Sequence, residues 1–252
     1  MYLDESGNGG LRDPTKPSGR RADLDTLPSS RTDWVNVLPK QRRVASERLV
    51  VFAPHPDDET VGAGGLIADA CASGCSVRIV VVSDGAASHV GVSGLATIRR
   101  HEAVAAARRL GVHDPVEFWD FPDGALERHI PELRRHMGKA MDGTDVVLGP
   151  VPHDGHSDHD ATSDALQGAV EALGSRSPPA HWMYAIWSWQ QPGRPDVPSR
   201  TAYQWPVSPE GRRRRQWALA EYRSQIDELA GRTIIPKVMI EAVNANHEVF
   251  WC

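Results

Sequence analysis

Cysteine is scarce: the chain has three in 252 residues, Cys71, Cys75 and Cys252, an odd number with no Cys-x-x-Cys pair. A disulfide scaffold does not fit, and the three read as small buried hydrophobes without a catalytic role. No apolar run approaches the length needed to cross a bilayer. Positive charge is in deficit, with 28 Lys and Arg against 33 Asp and Glu, net charge -5 and a pI near 6.1, so there is no electrostatic footprint for nucleic acid. The first residues, Met1-Tyr2-Leu3-Asp4-Glu5, lack a basic region followed by an apolar run; the expectation is a cytoplasmic chain without a secretory signal. What is present, 40% hydrophobic and 24% charged residues, is enough to bury a core without staples. Such a composition favours small-molecule chemistry.

Residues 1 to about 33 are rich in Gly, Pro, Ser, Asp and Arg without apolar periodicity, and read as a mobile or wrapping extension. Residues 34–252 read as one domain. Strand patterns fall at 48–53, 77–83, 116–121, 145–151 and 182–189, and helical patterns at 58–73, 97–110, 131–141, 158–173 and 211–230. This alternation predicts an α/β fold: a Rossmann-like, doubly wound, mostly parallel sheet with helices on both faces. The rhythm breaks at about 175–209, where prolines mix with Trp182, Trp187, Trp189 and Trp205. That segment suits a substrate-side lid or platform, since aromatic faces stack on sugar rings, or hydrophobic cover for the sheet edge. Gly62-Ala63-Gly64-Gly65 is not a dinucleotide fingerprint, because Ile67 stands where a third glycine is needed, and close helix-to-strand packing explains it better. Arg212-Arg213-Arg214-Arg215 reads as a solvated helix face.

Two stretches carry chemistry. Ala53-Pro54-His55-Pro56-Asp57-Asp58-Glu59-Thr60 follows an apolar strand and precedes a helix, which puts it at the carboxyl end of a strand, where open α/β sheets bind ligands. Its crowded carboxylates repel one another unless a cation or a set of donors offsets them. The second, Pro152-His153-Asp154-Gly155-His156-Ser157-Asp158-His159-Asp160, also lies between a strand and a helix. His55 and Asp58 from one turn with His159 from the other make two imidazoles and a carboxylate, a catalytic zinc set that leaves a position open for water. Zn²⁺ lowers the pKa of such a water and polarises a carbonyl, and a carboxylate beside the ion can act as general base. Asp57 and Asp58 are neighbours, so only one readily points at the metal while the other addresses the water.

Together these stretches resemble the signature motifs of the LmbE-like, PIG-L-type zinc-dependent N-acetylglucosaminyl de-N-acetylase superfamily. The similarity continues through Ser83-Asp84-Gly85, Arg99-Arg100-His101-Glu102, Leu110-Gly111 and Phe121-Pro122-Asp123-Gly124, with a looser echo in Tyr222-Arg223-Ser224-Gln225 and Glu248-Val249-Phe250. The resemblance implies one Zn²⁺ per chain on His55, Asp58 and His159, and makes Asp57 the general base. It implies that His156 stabilises the oxyanion, that Asp158 orients or charges that imidazole, and that Arg99 and Asp123 face the sugar hydroxyls or an aglycone. The implied reaction removes the N-acetyl group from a small N-acetylglucosamine-type glycoside, a thiol-cofactor or natural-product precursor, with homo-oligomerisation left open. Two positions depart from relatives: Asp154 stands where some carry a Tyr that assists the oxyanion, and Gln190 near where a subset carries His. Three rival readings follow: an amidase acting on a larger glycosyl-amide conjugate, an Fe(II) oxygenase using the same facial triad, and a sugar-binding relative without turnover.

Overall fold

The computed structural model describes residues 38–40, 47–89, 91–174, 178–190, 197 and 200–252. The expected extension at residues 1–33 lies outside them, as do Pro192, Pro195 and Pro198 of the Trp- and Pro-rich segment. Strand β1 (Arg48–Ala53) is buried from its second residue onward. Leu49 and Val51 feed one hydrophobic cluster while Val50 and Phe52 feed another, so the strand is covered on both faces, as its continuous apolar run requires. β2 (Ser76–Ser83) splits its side chains the same way.

Helices α1 (Asp58–Ala72) and α2 (Leu95–Leu110) pack on one face. Beyond β3 (Glu117–Phe121), helix α3 (Ile130–Ala140) covers the other face. It is joined there, after β4 (Val146–Pro150), by α4 (Ser157–Ala172). The chain continues through β5 (Ala180–Tyr184), β6 (Ala202–Pro206), α5 (Pro209–Leu219), the short α6 (Arg223–Ile226), α7 (Lys237–Val243) and β7 (His247–Trp251). The sheet order is β3-β2-β1-β4-β5-β7-β6. β1 to β5 are parallel, and β7 runs antiparallel to both β5 and β6. The fold is therefore the expected α/β, mostly parallel and wound in both directions from β1. Its switch point lies between β1 and β4, whose carboxyl ends open onto one crevice.

Three local expectations are corrected. The strand expected over 182–189 ends at Tyr184 and gives way to a 3₁₀ turn, Trp187–Gln190. The cause is a buried carboxylate: Asp154 accepts the N–H groups of Ile186, Trp187 and Ser188, which lifts the chain off the sheet. The helix expected over 211–230 begins at Pro209, with Ser208 Oγ capping Gly211 N at 2.9 Å, and ends at Leu219. Tyr222 then leaves helical geometry (φ -81°, ψ 56°), because its hydroxyl is buried against Glu59. Arg215 is not part of a solvated face. It is 1% exposed and donates to Glu248 at 2.6 Å, the carboxylate that also receives Gly65 N and Leu66 N.

The C-terminal strands β6 and β7 have no expected counterparts. β6 lies in the Pro- and Trp-rich stretch, and its closing Pro206 is tolerated because the strand is at the sheet edge. The glycines of α1 answer to packing. A Cβ on Gly62 would meet the Tyr184 ring at 2.3 Å and one on Gly65 would meet Val207 at 2.6 Å, so α1 approaches β5 and the loop after β6 more closely than any side chain permits.

Candidate active site

The loops after β1 and β4 bring His55, Asp57, Asp58, Asp154, His156, Asp158 and His159 to the switch point. Asp57 is the N-cap of α1, with φ 130° and ψ -27°, and makes no side-chain cap bond. An aspartate at an N-cap ordinarily folds back onto the first helical N–H groups. Here the unusual φ turns the carboxylate away, toward Arg99, whose Nη2 lies 3.4 Å from Asp57 Oδ2. Asp58, the first residue of the helix, receives His55 N at 2.8 Å.

Each imidazole beside Asp58 is fixed from behind. His159 Nδ1 meets Asp154 Oδ2 at 2.8 Å, and His55 Nε2 meets Asp158 Oδ2 at 3.1 Å and Asp123 Oδ1 at 3.2 Å. A carboxylate on one ring nitrogen keeps the proton there and leaves the other nitrogen as a lone pair. Those other nitrogens, His55 Nδ1 and His159 Nε2, both lie 3.2 Å from Asp58 Oδ2. His159 Nε2 is buried, yet it makes no hydrogen bond of acceptable geometry among the described residues.

A zinc ion with ligands at about 2.0 Å in a tetrahedron spaces them by roughly 3.3 Å. Two nitrogens at that spacing from one carboxylate oxygen, one of them an orphan, fit such an ion. The ligand nitrogens of His55, His156 and His159 also cluster within 4.8 Å.

The electrostatics agree with that donor set. Burial opposes ionisation of Asp58, but His159 and His55 hold its carboxyl far below the usual range. Burial alone would lower His159; the charges and hydrogen bonds of Asp58 and Asp154 outweigh it and raise the ring to about 9. His55 is raised likewise, burial being outweighed by Asp123, Asp158 and Asp58. Burial raises Asp57 above the carboxylate range, with Arg99 opposing and Asp58 adding to it. These are groups that share protons in a tight space, and a divalent cation is the simplest replacement for those protons.

His156 N-caps α4, and its Nδ1 accepts the N–H of Asp158 at 3.2 Å. A ring that accepts at Nδ1 carries its proton on Nε2, so His156 lines the cavity as a neutral donor. Burial and the charges of His55 and His159 lower its pKa and keep it neutral. Its ring stacks on Trp187 with centroids 6.1 Å apart.

The structure places some expected residues differently. Asp158 directs its carboxylate to His55, and to Gly124 N at 2.7 Å and Leu126 N at 3.1 Å; only its backbone meets His156. Arg99, expected on the sugar, lines the cavity although it is 2% exposed; its guanidinium donates to Pro56 O at 2.8 Å and Gly85 O at 3.0 Å, and its Nε has no hydrogen-bond partner among the described residues. Asp123 lines the cavity but binds Ala87 N at 2.8 Å. Burial resists its ionisation, and the His55 contacts overcome that and bring it down to about 2. Asp154 is fully buried and is no oxyanion donor. His153 is exposed.

The cavity in front of these groups measures about 220 Å³ and opens to solvent. Part of its wall, Arg232, Ile234, Ile235 and Met239, comes from the C-terminal segment, where no motif marked it. Trp187 is the tryptophan of the Trp-rich segment that lines it.

With this geometry in view, the likenesses to known proteins are specific. The family model for PIG-L, GlcNAc-PI de-N-acetylase, matches residues 50–170, the span holding both motifs. The conserved protein TT1542 from Thermus thermophilus is 30% identical, with a TM-score of 0.60 over 77% of this chain and 84% of that one. The chain belongs to the PIG-L/LmbE-like superfamily. A diacetylchitobiose deacetylase from Thermococcus kodakarensis is 32% identical over 122 residues, 45% of this chain and 45% of that protein. The matched stretch is thus under half the length of that relative. The A40926 pseudoaglycone deacetylase Dbv21 shares the fold, with a TM-score of 0.67 at 22% identity over 81% of this chain and 96% of that one. In this PIG-L-type chain the family match ends inside α4, so everything from β5 onward, including the C-terminal wall of the cavity, lies outside it.

Proposed function

We propose that this chain is a zinc-dependent hydrolase that removes the N-acetyl group from an N-acetylglucosamine-type glycoside, acting through a single domain over residues 34–252. The observation that carries the reading is the pair of imidazoles, each held at one nitrogen by a buried carboxylate, with the other nitrogen 3.2 Å from Asp58 Oδ2. His55 Nδ1, Asp58 Oδ2 and His159 Nε2 would hold the ion. When bound, zinc acidifies water and polarises the amide carbonyl.

The remaining work falls to residues of this chain. Asp57, raised by burial and turned into the cavity, takes a proton from the attacking water as its oxygen bonds to the carbonyl carbon. His156 Nε2–H donates to the developing oxyanion. The proton on Asp57 then passes to the amide nitrogen as the C–N bond breaks, which yields acetate and the free amine. Trp187, stacked on His156, offers a face for a sugar ring. The deacetylases among the relatives named above support the same reaction class.

Metal analysis, together with amine release from a panel of N-acetylglucosaminides with and without chelator, tests this reading. Zinc near one per chain and release abolished by chelator are expected. Bound metal with no release from any member of the panel would overturn it.

A further inference from the structure

Tyr222, Glu59 and Glu102 have no part in the chemistry above and do not line the cavity, yet they form one run of contacts that ends on Asp57. The φ of 130° at Asp57 lies in a region that a residue with a side chain holds only when its surroundings over-determine it. Part of that hold is the bond from Asp57 N to Glu59 Oε2 at 3.3 Å. Glu59 is 1% exposed, and its Oε1 receives the hydroxyls of Thr60, at 2.6 Å, and of Tyr222. Tyr222 is fully buried.

Two residues on, Ser224 donates its N–H and its hydroxyl to Glu102 at 2.7 and 2.6 Å. Glu102 lies on α2 three residues from Arg99, and that spacing puts both on one face of the helix. Arg99 in turn reaches Asp57 and the Pro56 carbonyl directly. The base turn is therefore held twice from α2: once through Arg99, and once through Glu102, Ser224, Tyr222 and Glu59.

We propose that Tyr222 is a positioning residue for Asp57, acting through Glu59, so that the C-terminal segment outside the family match sets the alignment of the base. The inference rests on Asp57 being the general base. Tyr222 touches neither the cavity nor the ligand set, so its effect belongs to turnover and not to substrate or zinc binding.

The test is Tyr222→Phe, which keeps the ring and removes only the hydroxyl. kcat is expected to fall about ten-fold, with KM and zinc content unchanged. Deuterium exchange at the backbone of residues 53–61 is expected to quicken about ten-fold, because the bond to Asp57 N–H loosens. Ser224→Ala should move both readouts the same way by less, and serves if Tyr222→Phe does not fold. Met137→Ala, in the core on the opposite face of the sheet, controls for stability: it should lower the melting temperature without lowering kcat. Unchanged kcat and exchange in Tyr222→Phe would overturn the proposal, as would an equal loss of kcat in Met137→Ala at equal melting temperature. If the parent releases amine from no glycoside, the deacetylase reading fails on its own, and the exchange measurement still decides whether Tyr222 holds the Asp57 turn.

Discussion

Asp154→Asn is the most demanding change to make at this site. The carboxylate is fully buried and surrounded by donors. Oδ2 faces His159 Nδ1 at 2.8 Å and Trp187 N at 3.2 Å, and Oδ1 faces Ile186 N at 3.0 Å, Ser188 N at 3.1 Å and Ser188 Oγ at 2.7 Å. An asparagine keeps the shape and replaces one acceptor oxygen by an NH₂ group. If that group faces His159, the ring must move its proton to Nε2, the atom that would face the metal. If it faces Ser188, buried N–H groups lose their acceptor, each at about 1–3 kcal/mol. With the lost charge, either orientation costs roughly 2–5 kcal/mol. At roughly 2–4 °C per kcal/mol for a chain of this size, melting should fall by roughly 4–20 °C. Zinc affinity should fall about 10–100-fold, the usual consequence of removing a carboxylate behind a ligand histidine. Thermal unfolding with and without chelator, and a zinc competition titration, measure both. A variant with the parent's melting temperature and zinc affinity would refute the account of how His159 is held.

Other outcomes are expected from the same geometry. Asp57→Asn should retain zinc and lose about 10²–10⁴ in turnover; a parent-like rate would remove Asp57 from the role of base. His156→Ala should lose about 10²–10³ in turnover with zinc retained, whereas loss of zinc alongside turnover would make His156 a ligand. His181, 7% exposed and with neither ring nitrogen hydrogen-bonded among the described residues, should make the fold acid-sensitive. Burial, helped by Arg200, lowers its pKa to about 3, so between that value and the ordinary one near 6.5 the unfolded chain binds a proton that the folded chain excludes, and stability is lost as pH falls. At pH 5 that difference amounts to about 2 kcal/mol. Urea titrations at pH 5 and 7.5 should show a smaller acid loss in His181→Leu than in the parent; equal losses would mean that His181 is not the sensitive group.

The centre of the parallel half was legible because β1, β2 and β4 are covered on both faces and so are apolar nearly throughout. Runs such as Val77 to Val82 have no other stable setting. The antiparallel end was not. β6 contains Gln204 and ends in Pro206, and such a strand is viable only at a sheet edge, which a linear pattern cannot show. Helix ends failed for a related reason. Nothing in the pattern around Tyr222 says that its hydroxyl is owed to Glu59, a partner 163 positions away, and that distant bond ends the helical run.

At the site, residue types and spacing singled out the two loops that carry His55, Asp58 and His159, and the folded chain brings these residues together at the switch point. Which carboxylate serves which imidazole was out of reach, because that depends on which side chains the sheet turns inward. The family resemblance implies that Asp158 is a partner for His156. In the folded chain its carboxylate crosses to His55, 103 positions earlier, and is pinned there by the Gly124 and Leu126 N–H groups. Asp154 shows the same limit more sharply. Read against relatives with tyrosine it looked like a lost oxyanion donor, but a carboxylate accepts and cannot donate while ionised. A fully buried one therefore belongs where donors converge, behind His159 and under the 186–188 turn. In the proposed reaction Asp154 therefore supports His159 from behind, and donation to the oxyanion falls to His156.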